Sequence, residues 1–294
     1  MMRKLAGLAV LAFVAGGAGL WLTQPRTVAA AEYEGVTGDA ERGAATFTAA
    51  GCASCHYAPD AEGAAKRVLS GGQAFETGFG TFYAPNISPH PEAGIGGWSL
   101  TEFASAVRLG TAPEGHHYYP AFPYSAYIRL GPQQVADLWA HLQTLPESDT
   151  PSRAHDVGFP FSIRASLGGW KMLYLTDEWV LQDPAMPEIT RGRELVEALA
   201  HCGECHTPRT ALGGLDLARW LEGAANPSGD GRIPAIDPAS LDWSATDIAY
   251  YLETGFTPDF DSAGGHMVAV VENFAELTAE DRAAVAAYLK ALPE

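Results

Sequence analysis

The sequence predicts an all-α protein made of two tandem repeats joined by a packed irregular segment. Three observations predict it. The pattern CxxCH occurs twice, as Cys52-Ala53-Ser54-Cys55-His56 and Cys202-Gly203-Glu204-Cys205-His206, and together the two copies use all four cysteines of the 294-residue chain. Trp98-Ser99-Leu100-Thr101-Glu102-Phe103-Ala104 has a counterpart in Trp243-Ser244-Ala245-Thr246-Asp247-Ile248-Ala249, and Leu142-Gln143-Thr144-Leu145-Pro146-Glu147 in Leu289-Lys290-Ala291-Leu292-Pro293-Glu294. Helix-capping signals then recur at matching places in both copies.

Taken in chain order, residues 1–31 read as a signal peptide or an N-terminal anchor. Arg3 and Lys4 precede an apolar run from Leu5 to Leu22, and Ala29, Ala30 and Ala31 offer a small-residue cleavage site. The run is also just long enough to span a bilayer, so both readings stay open. The first repeat occupies residues 35–147. Its opening helix is expected from about Asp39 to Ala50, ahead of the first CxxCH. Ser99 with Glu102 has capping-box spacing, and Gly110 suits the left-handed end of that second helix. The last helix starts at Gly131-Pro132 and carries Val135, Leu138, Trp139 and Leu142 on one face.

Residues 148–188 connect the repeats. Their prolines alternate with Phe159, Phe161, Trp170 and Tyr174, which is too apolar for a free linker and predicts packing along both repeats. The second repeat, residues 189–294, repeats the order: a helix from about Arg191 to His201, the second CxxCH, a helix capped by Ser244 and Asp247 that ends at Gly255, and a last helix starting at Thr278.

Two thiols separated by two residues can form thioethers to the two vinyl groups of one porphyrin, and the next residue supplies an imidazole to its iron. The chain is therefore expected to carry two covalently bound haems c, attached through Cys52, Cys55, Cys202 and Cys205, with His56 and His206 as iron ligands. A redox-active dithiol or half of a zinc site would not need a histidine directly after each pair.

The far side of each iron differs between the repeats. Met267, between the Ser244 helix and the last helix, is the expected sulfur ligand of the second haem. Phe122 lies as far from Trp98 as Met267 does from Trp243, and phenylalanine cannot bind iron. The first haem then takes another ligand, with His117 the leading candidate ahead of His90, His141 and Met172, or its distal position is open.

The element order resembles class I cytochrome c domains. Gly80-Thr81-Phe82-Tyr83-Ala84-Pro85-Asn86-Ile87-Ser88, Gly94-Ile95-Gly96-Gly97-Trp98-Ser99, Tyr119-Pro120-Ala121-Phe122-Pro123-Tyr124 and Cys205-His206-Thr207-Pro208-Arg209 resemble the cytochrome c subunits of membrane-bound alcohol and gluconate dehydrogenases. The resemblance implies an electron relay between a quinoprotein or flavoprotein dehydrogenase and a respiratory-chain acceptor. Those subunits commonly hold three haem domains, and they have methionine where this chain has Phe122.

A formal charge of −17, more negative still without Arg3, Lys4 and Arg26, makes nucleic acid and anionic membrane surfaces unsuitable partners. Export implies the periplasm, with membrane contact only through the N-terminal segment if it is retained. The competing function is a haem enzyme, peroxidase-like or sulfur-oxidising, using an open first haem. No cysteine is left to serve as the ligand the sulfur-oxidising type tends to use, and no other catalytic constellation is present in the sequence.

Overall fold

A computed structural model describes residues 16–19, 21–227 and 231–293. Arg3, Lys4 and most of the apolar run of the N-terminal segment lie outside the described residues.

In the first half, helix α1 (Ala40–Ala49) starts where the Asp39 carboxylate accepts from the backbone N–H groups of Glu41 and Arg42. A short helical turn, Cys52–His56, follows. Strands β1 (Ala74–Thr77) and β2 (Gly80–Tyr83) form an antiparallel hairpin within the glycine-rich stretch. Helix α2 (Leu100–Leu109) has the complete Ser99/Glu102 capping box and ends at Gly110, whose φ of 59° is a left-handed cap. After a turn at Tyr124–Tyr127, helix α3 (Pro132–Leu142) begins with proline in its first turn.

The connecting segment holds one helix, α4 (Ser166–Tyr174). The second half opens with α5 (Pro187–Arg193), which continues as a π-helical turn over Glu194–Leu199. This helix starts at Pro187 rather than near Arg191, because proline at the first position is preorganised for a helix and loses no N–H it would need. A two-residue pairing of β3 (Ala224–Ala225) with β4 (Arg232–Ile233) follows. Helix α6 (Ala245–Thr254) carries the Ser244/Asp247 box, α7 (Met267–Glu276) has no side-chain cap, and α8 (Ala279–Ala291) is capped by Thr278.

In both halves the first and last helices cross at a glycine. A Cβ on Gly43 would stand 1.9 Å from the Asp137 carbonyl oxygen, and one on Gly192 would stand 2.0 Å from that of Ala284. Only glycine lets the backbones approach so closely, which fixes α1 on α3 and α5 on α8. From the crossing glycine to the first cysteine the second half has one residue more, since Gly43 precedes Cys52 and Gly192 precedes Cys202. The π-helical turn absorbs that extra residue.

Leu69, Val135, Leu195, Leu199, Phe274 and Tyr288 are fully buried in one apolar cluster that runs through both halves. Each such side chain contributes about 1.5–3 kcal/mol relative to exposure. The connecting segment packs on both halves, as expected. Asn86 donates to the Ser148 and Thr150 carbonyls at 2.8 and 2.9 Å, and Trp170 Nε1 donates to the Leu212 carbonyl at 3.1 Å. Among the described residues no helix is long and apolar enough to cross a membrane.

Candidate haem sites

The two CxxCH motifs fold into matching frames. His56 Nδ1 donates to the Pro85 carbonyl at 2.8 Å, and His206 Nδ1 donates to the Pro234 carbonyl at 2.8 Å. Each ring is thus oriented by a backbone acceptor and keeps its Nε2 lone pair for a metal, the usual arrangement behind a ligating histidine. Burial lowers both imidazole pKa values, against the opposing pull of the carbonyls, so the ligating neutral form prevails. Gly71 and Gly223, at φ of 73° and 76°, close the frames by donating to the carbonyls of His56 and His206, each at 2.7 Å. A Cβ on Gly71 would meet the Pro85 carbonyl oxygen at 2.6 Å, so the residue holding the histidine acceptor tolerates no side chain beside it.

All four cysteines are unpaired thiols. Burial pushes Cys52 and Cys202 up to about 12, and burial together with the nearby Cys205 pushes Cys55 up to about 11. A working dithiol needs a thiolate near neutral pH, so these environments disfavour redox-active pairs. No cluster of three or more His, Cys, Asp or Glu suited to a metal ion occurs among the described residues. Paired thiols with an oriented imidazole beside them fit a haem c.

Met267 and Phe122, the equivalent residues of the two repeats, have different surroundings. Met267 is the first residue of α7 and packs, partly buried, against the shared core. Phe122 lies in an aromatic cage, 5.9 Å from the Tyr127 ring centroid, 6.2 Å from Tyr118 and 6.3 Å from Tyr124. Tyr127 links that cage to the first motif, because its hydroxyl donates to the carbonyl of Ala50, two residues before Cys52, at 3.0 Å.

His117 is employed elsewhere. Its buried Nε2 donates to the Thr23 carbonyl at 2.8 Å, its Nδ1 has no hydrogen-bond partner among the described residues, and Lys171 and His116 are the charged groups that act on it. None of these contacts involves the CxxCH motif. His141 packs its ring on Phe47 at 5.0 Å with Nδ1 toward the Ala40 carbonyl, His90 Nδ1 accepts from the Ala93 N–H at 3.0 Å, and Met172 is 62% exposed.

Residues 40–146 and 189–293 each match the cytochrome c family. The chain belongs to the cytochrome c family. It is 56% identical over 293 residues to a protein of Cereibacter sphaeroides described as "Diheme cytochrome c-type", covering 100% of this chain and 99% of that one. It is 38% identical to the fructose dehydrogenase cytochrome subunit of Gluconobacter japonicus and 32% identical to the gluconate 2-dehydrogenase cytochrome c subunit of Pantoea cypripedii. In both cases 86% of this chain is matched, and it spans 52% and 59% of those subunits. This cytochrome carries two covalently bound haem c groups and is homologous to electron-transfer subunits of dehydrogenases.

The two halves of the cytochrome exchange contacts around their haem motifs. Asn273, on α7, donates to the hydroxyl of Ser54 inside the first motif at 3.0 Å. Ser125, just after Phe122, donates to the carboxylate of Glu204 inside the second motif at 2.6 Å. His201 and Gly51 each precede the first cysteine of their motif, both with left-handed backbone, at φ of 42° and 62°. The His201 ring packs edge-on against Tyr127 of the other half at 5.6 Å, and Asn273 lies beside Gly51. A histidine held left-handed costs about 1 kcal/mol more than a glycine there.

Sequence reasoning missed Tyr127, Ser125, His201, Glu204 and Asn273 because their partners are remote in sequence. It also passed over the acceptors Pro85 and Pro234, although these follow their histidines by nearly equal intervals, 29 and 28 residues.

Proposed function

We propose that this cytochrome is a periplasmic electron relay that accepts electrons from a quinoprotein or flavoprotein dehydrogenase and delivers them to a respiratory-chain acceptor. Residues 35–147 and 189–294 form the two haem domains, and residues 148–188 connect them. Cys52 and Cys55 hold one haem and Cys202 and Cys205 the other, with His56, His206 and Met267 as iron ligands. Each haem supplies a one-electron Fe(III)/Fe(II) couple. The chain's own residues orient the imidazoles through Pro85 and Pro234, exclude water with the shared core, and lock the two motifs face to face through Ser54, Asn273, Ser125 and Glu204.

The observation that carries this reading is the pair of matching His–Pro frames, with the thiol of Cys205 near that of Cys55, inside one continuous core. Two redox groups attached on either side of one shared core suit passage of electrons from one to the other. The acidic charge of −17 suits steering toward a basic patch on a redox partner.

Phe122 supports a second reading for the first haem alone, as a centre open to small ligands. His117 Nε2 is bonded to the Thr23 carbonyl and would have to give up that hydrogen bond to bind an iron. Optical and EPR spectra of the haem-loaded protein, with carbon monoxide added to the reduced form, test both readings. One low-spin centre and one carbon monoxide-binding centre are expected, together with two one-electron steps in a redox titration. Two low-spin centres would return His117, or another residue, to the first iron. Peroxide turnover would favour the enzyme, and failure to take electrons from any dehydrogenase would remove the relay.

A further inference from the structure

The segment before residue 31 is built into the first half. The Thr23 carbonyl is the only hydrogen-bond partner found for the buried His117 ring among the described residues. The same carbonyl oxygen packs on Gly168 of α4 so closely that a Cβ there would lie 1.9 Å from it. The Val28 N–H donates to the buried Ser105 hydroxyl at 3.1 Å. Cleavage at Ala29–Ala31 would strip all three contacts away.

The surface beside that segment is inverted. Helix α4 turns its one cation inward, where Lys171 Nζ donates to the Leu109 and Gly110 carbonyls at 2.6 and 2.8 Å. Its exposed side carries Ala165, Ser166, Met172 and Leu173, with no charge among them. Phe159 is 83% exposed, and Phe161 and Ile163 are exposed beside it. This loop is pinned to the same strip of chain that holds Thr23, because Tyr119 donates to the Phe161 carbonyl at 3.1 Å and Arg164 donates to the His117 carbonyl at 2.9 Å. Residues 157–175 contain no Asp or Glu, and neither do residues 1–31, in a chain with 35 acids.

A solvated helix normally does the reverse, and a cluster of exposed aromatic and aliphatic residues marks an apolar partner. The chain itself indicates which one. Its apolar run from Leu5 to Leu22, of bilayer-spanning length, ends among the described residues at Trp21 and Leu22 and is continuous with Thr23 on α4. We infer that the N-terminal segment is retained as a membrane anchor and that the face formed by Phe159–Ile163 and Met172–Leu173 rests on the lipid bilayer. Phe and Leu side chains on such a face bury in the headgroup boundary, and the anchor holds them there.

The full-length, haem-loaded protein tests both halves of the inference. Intact mass of the protein from washed membranes should retain the residues before Ala29, and a mass corresponding to cleavage between Ala29 and Ala31 would overturn the anchor. In vesicles of phosphatidylethanolamine and phosphatidylglycerol, a lipid-phase carbene photoreagent should label Phe159–Ile163 and Met172–Leu173 several-fold more than Phe260, which is 95% exposed in the second half. Labelling confined to the N-terminal segment would overturn the resting face and point instead to a protein partner on it. The double variant Phe159→Ser, Leu173→Ser is expected to lose the labelling around those sites while its haem spectra stay unchanged. Unchanged labelling would also overturn the inference.

Discussion

The same helix crossing is solved in two chemistries. In the first half, α1 meets α3 with Phe47 against His141, their ring centroids 5.0 Å apart. At the matching crossing of α5 and α8, Glu197 and Tyr288 are both buried, and the tyrosine hydroxyl donates to the carboxylate at 2.8 Å. Glu197 also accepts from the N–H groups of Val180 and Leu181, at 2.6 and 3.0 Å, so this acid ties the connecting segment to the second haem domain. The π-helical turn accompanies the change, since Glu197 lies within it. A duplicated scaffold has kept its glycine crossing and its His–Pro frames while altering what sits on either side of them.

The largest expected effect lies at the distal positions. Phe122→Met should give the first half the thioether its counterpart has and abolish carbon monoxide binding there, while Met267→Phe should open the second site to carbon monoxide. If Phe122→Met leaves carbon monoxide binding intact, the equivalence of the two positions is wrong.

The buried acid comes next. Glu197→Ala leaves the Val180 and Leu181 N–H groups and the Tyr288 hydroxyl without their acceptor, and should cost about 3 kcal/mol in urea unfolding of the haem-loaded protein. Phe47→Ala in the first half should be comparably costly by loss of apolar contact, so a ratio far from unity would show which crossing carries more of the stability.

Gly43→Ala and Gly192→Ala place a Cβ against a carbonyl oxygen and should each cost about 2 kcal/mol by overpacking. Equal losses are expected; a much smaller loss at Gly192 would mean that the π-helical turn lets α5 move away.

The remaining effect is in pH dependence. Burial lowers Lys171 from its ordinary 10.5 to about 7. Between those values the unfolded chain binds the proton that the folded chain has released, so stability should rise with pH across that window. Lys171→Met should flatten the rise in unfolding curves measured from pH 7 to 10, and an unaltered slope would assign the rise to other groups.

Much of this architecture is legible in local signals. Ser99 with Glu102, Ser244 with Asp247, and Gly110 and Gly255 are contacts within a few residues, so their spacing alone implies the cap. The uncapped start of α7 carries no such signal, and a helix was not expected from Met267 onward. The π-helical turn is equally silent, because one inserted residue leaves the apolar pattern of Leu195, Val196 and Leu199 looking like an ordinary buried helix. The haem motifs were readable because CxxCH packs its chemistry into five adjacent residues. The contact between His117 and Thr23 was unreadable for the opposite reason: the two residues lie 94 apart, and Thr23 belongs to a segment that reads as a signal peptide or an anchor.

Contacts exchanged between the halves also set an order of assembly. A chain is made from its N-terminus, so the loop carrying Cys52 and Cys55 leaves the ribosome long before Asn273, which bonds to Ser54 from 219 residues downstream. Until that residue arrives, Ser54 in the first motif lacks its partner from the second half. The second pair, by contrast, emerges after Ser125 and Tyr127 are already available to close over it. The first motif thus waits for its contact from the other half, whereas the second finds its contacts already made.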